Sequence, residues 1–249
     1  MNREDEGVPY LQPLLGIVFD LDGTLVESHH DFRRMRREVI RIAEHHGVAP
    51  GHLSLTEPIP TTMEKAREEL ERNGAPEGSR YRFETEVNRT IDAIEMEALP
   101  QTTARVGAIP LLAALTERGY RIGVLTRSSE TFCRAALAQT KMLDYLPSLR
   151  TRSAPGPAKP SPEALLLLLK QMGVPQDRAA FVGDHLLDAQ CARHAHIRFY
   201  GLLATHASAD STTAEAFHAA GATEVLADLP AFGRLFGVSP NPPKVPAGA

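Results

Sequence analysis

The sequence predicts an α/β domain built on a parallel β-sheet and interrupted near its beginning by a helical insertion. From about residue 107 onward, short apolar runs typical of strands alternate with helical segments, an order that favours a parallel sheet with connecting helices. Between about residues 29 and 96, apolar residues recur at helical spacing in a highly charged stretch. We expect the following division of the chain: a core at residues 14–26 and 106–236, a helical insertion at 27–105, and flexible tails at 1–13 and 237–249.

The first strand and the insertion follow from local patterns. The apolar run Leu14–Phe19 predicts a buried strand of the sheet. Apolar residues between Phe32 and Ala43 predict a first helix of the insertion, and those between Phe83 and Ile94 predict its last helix. Between them, Thr61 and Glu64 have the spacing of a capping box, so we expect a middle helix to begin there.

The rest of the core is predicted from alternating runs with Gly, Ser and Pro at their ends. The predicted strands are 121–125, 148–151, 179–182, 198–203 and 224–226. The predicted helices are 110–118, 130–139, 162–172, 189–194 and 217–220.

Bulk composition excludes several classes of protein. A net charge of -4 gives no basic field for nucleic acid. The longest apolar run, Ala164–Leu169, is far shorter than a membrane span needs. The acidic N-terminal stretch lacks the apolar region of a signal peptide, so we expect a cytoplasmic protein, monomeric or homodimeric. Cys133 and Cys191 are predicted to be buried thiols, which suits a reducing compartment.

Polar side chains follow the predicted strands at the edge of the sheet where ligands bind in such folds. Asp20 and Asp22 follow the first strand, Thr126 follows the second, and Asp184 and Asp188 follow the strand at 179–182. Lys159 lies in a proline-rich connection. Taken singly, an aspartate after a strand is usually a turn former or a helix cap. Together, the groups from separate strand ends predict one site.

The charge of that site predicts a bound cation. Two carboxylates about 4 Å apart repel by roughly 4 kcal/mol at an effective dielectric constant of about 20. Hard oxygen ligands without nearby Cys or His favour Mg²⁺, which binds carboxylates together with phosphate oxygens of a substrate. A lysine and a hydroxyl opposite the ion would hold the remaining oxygens of a phosphoryl group. The sequence therefore predicts a magnesium site shaped for a phosphoryl group. The partner that we expect is a small phosphorylated metabolite.

The motifs resemble those of the haloacid dehalogenase superfamily. They are DLDGT from Asp20, LT ending at Thr126, KP from Lys159, and GDxxxD ending at Asp188, in the family's order. The stretch GYRIGVLTRSS is similar to the phosphoglycolate phosphatase-like branch. The resemblance implies a Rossmann-like core, an all-α cap in place of the insertion, and hydrolysis of a phosphoric monoester through an aspartyl-phosphate.

The resemblance also implies a role for each matched residue. Asp20 matches the nucleophile, and Asp22 matches the general acid and base. Asp20, the backbone carbonyl of Asp22, and Asp184 match the magnesium ligands, with Asp188 supporting them directly or through water. Thr126 and Lys159 match the groups that hold the transferring phosphoryl group. The acid at position 22 favours phosphoryl chemistry, since the dehalogenases of the superfamily lack it.

Some features depart from the pattern or leave alternatives open. His185 stands where the family usually has a small Ser or Thr, and we expect it at the rim of the site. Arg127, directly after Thr126, is a candidate substrate contact. The open alternatives are a phosphomutase, a phosphonatase, or a non-catalytic phosphate-binding or receiver-type protein. A phosphonatase would need a Schiff-base lysine in its cap, where Lys65 is the only lysine.

Overall fold

The computed structural model of the protein describes residues 13–204 and 212–238. These residues form two units. Ser28–Thr102 form the helical unit, and the described residues on either side of it form the core unit. The predicted tails at 1–13 and 237–249 lie almost wholly outside the described residues, which include only Pro13, Gly237 and Val238 of them.

The described strands all belong to the core unit. They are β1 (Gly16–Phe19), β2 (Val26–Glu27), β3 (Thr103–Ala104), β4 (Arg121–Leu125), β5 (Ser148–Arg150), β6 (Ala179–Gly183), β7 (Arg198–Leu202) and β8 (Glu224–Leu226). Six of them form one parallel sheet in the order β5-β4-β1-β6-β7-β8. The strands β2 and β3 pair as a short antiparallel ribbon. The predicted α/β fold with a parallel sheet is confirmed.

The described helices lie in both units. They are α1 (Phe32–His45), α2 (Ile59–Arg72) and α3 (Glu77–Ala98) in the helical unit, and α4 (Ala108–Glu117), α5 (Glu130–Gln139), α6 (Pro162–Met172), α7 (Leu186–His194), α8 (Ala214–Ala219) and α9 (Leu229–Leu235) in the core unit. The end of α6 illustrates how the sequence sets a boundary. Gly173 takes a left-handed φ of 64° there, which glycine adopts without a Cβ clash.

Both faces of the sheet are covered by apolar side chains. Residues of β1, β4, β6 and β7, among them Val18 and Phe181, join one buried cluster with the apolar faces of α6 and α7. Neighbouring strand residues point to opposite faces. The ring of Phe19 accordingly meets Phe232 of α9 on the other face, with ring centroids 6.0 Å apart. Burial of β1 on both faces fixes the strand that precedes Asp20.

The helical unit has an apolar core of its own. The buried residues are Met35, Val39, Ile42, Ala43, Val48, Leu53, Ala66, Leu70, Phe83, Val87, Ile91 and Ile94. The predicted stripe from Phe83 to Ile94 is thus confirmed as the buried face of α3. Burying a side chain such as Phe or Ile contributes about 1.5–3 kcal/mol, so this core holds the three helices together. Residues 28–102 contain no strand.

Two local predictions were wrong. The capping box at Thr61 and Glu64 is not formed, because α2 already begins at Ile59 after Pro58, and no side chain caps it. A proline in the first turn has no amide hydrogen to leave unsatisfied, so the helix begins three residues earlier than a hydroxyl cap at position 61 would allow. Phe32, predicted in the apolar stripe of α1, is 51% exposed because it stands in the first turn, beyond the core.

Cys133 and Cys191 are free and buried, and burial raises the pKa of each thiol to about 12. The prediction of buried thiols is therefore confirmed. None of the helices in the described part of the chain combines the length and the apolar content needed to cross a bilayer.

Candidate active site

Three carboxylates and a lysine meet where β1 and β6 end. One carboxylate oxygen of each of Asp20, Asp184 and Asp188 lies within 4.8 Å of the other two. The ammonium Nζ of Lys159 lies 2.5 Å from Asp20 Oδ1 and 2.7 Å from Asp188 Oδ1. Lys159 is 4% exposed and Asp188 only 1%, so these charges are paired out of water. The groups that follow β1 and β6 therefore lie together in the core unit, with Lys159 among them.

The glycines of both motifs make room for this cluster. Gly23 takes a φ of 78°, and a Cβ there would overlap the carboxylate of Asp184. A Cβ on Gly183 would overlap the carboxylate of Asp188. Thr24 donates from Oγ1 to Asp184 Oδ1 at 2.9 Å. The Gly-Thr after the first acids and the glycine before the last ones thus set the distance between the two motifs.

The ionisation of the cluster reflects burial and crowding. Burial, followed by repulsion from Asp188, raises the pKa of Asp184 to about 7. Burial also raises the pKa of Asp20 well above its ordinary value, although Lys159 opposes this. Burial disfavours the charge of Lys159, but the ion pairs with Asp188 and Asp20 outweigh it and raise the lysine pKa. One ammonium does not neutralise three carboxylates, and the excess charge and the oxygen donors fit a hard divalent cation such as Mg²⁺.

Asp22 is held apart from the three-carboxylate cluster. Its Oδ2 accepts a hydrogen bond of 2.5 Å from Ser128 Oγ, and Thr126 Oγ1 lies 3.5 Å from the same oxygen. Thr126 and Ser128 follow β4, the neighbour of β1 in the sheet. The two acids of the first motif therefore have different partners: Asp20 faces a cation, and Asp22 faces hydroxyl groups.

Arg127 lies against the backbone of the Lys159 connection. Its guanidinium donates to the carbonyl oxygen of Lys159 at 2.5 Å. Burial, followed by repulsion from Arg152, lowers the pKa of Arg127 to about 10. Arg152 in turn donates from Nε to the carbonyl oxygen of Arg127 at 3.0 Å. Arg127 therefore binds the backbone of the Lys159 connection. Its contact with a substrate stays a prediction.

His185 begins α7. It is exposed, and its Nδ1 accepts from the Leu187 amide at 3.1 Å. The His185 amide donates to Asp188 Oδ2 at 3.2 Å, which completes a capping box. The cap expected as the ordinary explanation of GDxxxD is therefore formed, and Asp188 uses its second oxygen for Lys159. One carboxylate serves the helix and the cluster together.

Three residues of the site were missed from the sequence. Thr24 and Ser128 bind Asp184 and Asp22, and buried Arg105 donates to the carbonyl oxygen of Gly23. The signal for Thr24 was present in DLDGT. Ser128 is two residues beyond Thr126, where side chains of an extended segment share a face, which could have indicated it. Nothing in the sequence around Arg105 indicates its contact.

Comparisons with known proteins agree with this geometry. The family model of haloacid dehalogenase-like hydrolases matches residues 14–196. The N-acetylmuramic acid 6-phosphate phosphatase of Pseudomonas aeruginosa is 28% identical over 200 residues, which cover 73% of this chain and 78% of that protein. The phosphoglycolate phosphatase of Pseudomonas fluorescens is 27% identical over 199 residues, covering 75% and 68%.

Solved structures share the fold. A hydrolase from Pseudomonas syringae has a TM-score of 0.62 at 21% identity, covering 90% of this chain and 99% of that one. A HAD family hydrolase from Deinococcus radiodurans R1, solved with bound phosphate and sodium, has a TM-score of 0.60 at 22% identity, covering 91% and 98%. At these identities the likeness concerns the fold.

Proposed function

The chain belongs to the haloacid dehalogenase-like hydrolases, and we propose that it is a magnesium-dependent phosphatase. Its substrate is a small-molecule phosphomonoester, hydrolysed through an aspartyl-phosphate on Asp20. The observation that carries the proposal is the cluster of Asp20, Asp184, Asp188 and Lys159 together with a further acid, Asp22, that has partners of its own beside it. A phosphomonoesterase of this kind needs a nucleophile, a proton carrier and a source of positive charge at one place.

The metal would be held by the three-carboxylate cluster. Asp20 and Asp184 offer their carboxylates, the backbone carbonyl of Asp22 is the ligand that the family resemblance adds, and Asp188 supports the site directly or through water. When bound, Mg²⁺ supplies positive charge to the phosphoryl oxygens and lowers the repulsion between them and the attacking carboxylate.

Asp20 and Asp22 divide the chemistry between them. The Asp20 carboxylate attacks phosphorus, so that a phosphorus–oxygen bond to Asp20 forms while the bond to the alcohol oxygen breaks. Asp22 gives a proton to that leaving oxygen. Asp22 then takes a proton from the water that attacks phosphorus, and the aspartyl-phosphate returns to free Asp20 and inorganic phosphate. The separate environments of the two acids support this division, since Asp20 pairs with the Lys159 ammonium and Asp22 accepts from the Ser128 hydroxyl.

Lys159 and Thr126 would hold the phosphoryl group. Lys159 keeps its proton, because ion pairs raise its pKa, and its ammonium lies beside the nucleophile. The Thr126 hydroxyl lies on the Asp22 side of the site. Charge-assisted donors on two sides of a dianion fix its orientation toward the attacking carboxylate.

The substrate class is proposed from the relatives and from the insertion. Relatives at 27–28% identity are named for phosphoglycolate and for N-acetylmuramic acid 6-phosphate, so these are the first two compounds to test. We propose that the helical unit, inserted between β2 and β3, serves as the cap that selects the substrate.

Lys65 bears on the phosphonatase alternative. Its ammonium pairs with Glu57 in the helical unit, and its side chain is 48% exposed. A Schiff-base lysine has to lose its proton, which requires a desolvated or cationic environment. The surroundings of Lys65 are anionic and open to water, so they favour hydrolysis of a phosphate ester over cleavage of a phosphonate.

The test is phosphate release by wild type and by Asp20→Asn, with Mg²⁺ and with excess EDTA. We expect wild type to release phosphate only with Mg²⁺, and Asp20→Asn to be inactive with an unchanged circular dichroism spectrum. Asp144→Asn, which changes an exposed aspartate of the core unit, should retain full activity. Activity of Asp20→Asn would contradict the nucleophile assignment. Turnover without phosphate release would indicate a mutase.

A further inference from the structure

Ser128 makes two contacts inside the site that no assigned role explains. Its side-chain hydroxyl donates to Asp22 Oδ2 at 2.5 Å, and its backbone amide donates to Thr126 Oγ1 at 3.0 Å. The residue is 6% exposed, so water does not compete with these bonds. Ser128 thus touches both the acid and the hydroxyl group that follow β1 and β4.

The side chain of Ser128 is not needed to begin the next helix. The N-cap of α5 is Ser129, whose hydroxyl accepts from the Phe132 amide at 3.2 Å. The carbonyl oxygen of Ser128 binds the Arg152 amide at 3.0 Å, which requires only the backbone. The Ser128 hydroxyl therefore binds Asp22 and does not cap the helix.

Both hydrogen bonds of Ser128 leave the Thr126 proton available for the phosphoryl group. A hydroxyl has one proton to donate and two acceptor positions. When Thr126 Oγ1 accepts from the Ser128 amide, its proton remains available for donation, and the 3.5 Å separation from Asp22 makes that carboxylate a weak recipient. The much shorter bond from Ser128 fixes Asp22 instead. Thr126 is left to donate to a phosphoryl oxygen.

We propose that Ser128 is a positioning residue for proton transfer: its hydroxyl holds Asp22 in place, and its amide orients the Thr126 hydroxyl toward the phosphoryl group. The proposal rests on the phosphatase function given above. The bond from Ser128 to one oxygen of Asp22 then sets the orientation of the whole carboxyl group toward the leaving alcohol oxygen. Ser128 acts through Asp22 and takes no part in bond formation.

The dependence on the leaving group tests this role. The ratio kcat/KM reports on the steps up to departure of the alcohol, and a poor leaving group needs proton donation while a nitrophenolate does not. General acid catalysis contributes about 10²–10⁴-fold. For Ser128→Ala we expect kcat/KM to fall about 10- to 100-fold with an alkyl phosphate and about 3-fold or less with 2,4-dinitrophenyl phosphate.

Matched variants separate positioning from loss of structure. Ser128→Thr keeps a hydroxyl donor and should restore the wild-type ratio between the two substrates. Thr140→Val removes a buried hydroxyl that donates to Ala136 at the far end of α5, and it should change both substrates equally or neither. If Ser128→Ala does not fold, Ser128→Cys replaces the hydroxyl by a weak donor of similar size, with the same expected pattern.

The outcomes distinguish this inference from the function on which it rests. Equal losses for both substrates in Ser128→Ala, with an active wild type, would overturn the role of Ser128 and leave the phosphatase function standing. A wild type that releases phosphate from neither substrate with Mg²⁺ would overturn the function, and the role of Ser128 with it.

Discussion

The core unit and the helical unit use charged residues in opposite ways. In the core unit, Lys159 and Asp188 form an ion pair in which both side chains are at most 4% exposed. In the helical unit, charged pairs such as Arg34 with Glu97 and Arg67 with Glu84 lie on open helix faces. The arginine-rich stretch of α1 is of the second kind, since Arg33 and Arg37 are exposed.

The difference shows where charge serves function. Burying an ion costs several kcal/mol in lost hydration, and its partners only partly offset that. Exposed pairs cost little and contribute about 0–1 kcal/mol each. A chain that buries Asp20 and Asp188 around one lysine, with half-buried Asp184 beside them, gains little stability from these charges, so their position is better explained by chemistry.

Removal of the buried lysine should have the largest effect. Lys159→Met leaves Asp20 and Asp188 without their cation, so phosphatase activity should fall at least about 10²–10³-fold. Breaking a buried pair destabilises a protein by about 3–5 kcal/mol, which urea unfolding in EDTA measures. Mg²⁺ should restore part of the loss, because it supplies positive charge to the same carboxylates. Lys170→Met, at an exposed position of α6, is the control. Equal stability of the two variants would contradict the contrast.

Stabilisation by the metal should depend on the same cluster. At 100 times its Kd, a ligand that binds only the folded state contributes about 2.7 kcal/mol. Wild type should therefore melt at a higher temperature in saturating Mg²⁺ than in EDTA, and Asp184→Asn should lose most of this shift. Asp144→Asn should keep it. A shift of the same size in Asp184→Asn would place the ion elsewhere.

A pH-dependent effect is expected in the helical unit. Glu69 accepts from the Ala49 amide at 2.9 Å and from His52 at 2.6 Å, and these bonds hold its pKa below the ordinary 4.5. A lowered pKa stabilises the fold above pH 4.5, and this contribution is lost as the pH falls through the folded value. Glu69→Gln should lower the melting temperature at pH 6, and the difference from wild type should shrink toward pH 3. A constant difference would exclude the carboxylate charge as its cause.

Exposed ion pairs should have the smallest effect. The Arg67 guanidinium lies 2.6 Å from a Glu84 carboxylate oxygen, with the side chains 49% and 36% exposed. Glu84→Gln should change the free energy of unfolding by less than about 1 kcal/mol. The change should be smaller still in high salt, which screens the pair, and kcat/KM should not change. A loss above 2 kcal/mol would show that the helical unit depends on its surface charges.

Local sequence signals predicted the core elements where they were strong. The strand Arg121–Leu125 and the helix Glu130–Gln139 have the predicted ends, because an apolar run and a serine cap mark them. The ribbon of β2 and β3 was not predicted, since two-residue strands have no periodicity. The short α9 was missed as well, because its 7 residues are too few to show a helical period.

The site divides in the same way. Residues placed by the end of a strand, such as Asp20 after β1 and Asp184 after β6, were predicted, because the strand itself could be recognised. The contact of Arg127 with the Lys159 carbonyl was not. A long side chain can reach many partners, and its choice depends on the three-dimensional path of another loop. The path of the loop that carries Lys159 depends on the whole fold and not on the residues next to Arg127.

The most direct test of the account is a crystal structure with Mn²⁺ in place of Mg²⁺ and beryllium trifluoride as a phosphoryl mimic. We expect one anomalous peak bound by both Asp20 and Asp184, with beryllium attached to the other oxygen of Asp20. An ion that does not touch both carboxylates, or beryllium attached to another residue, would contradict it.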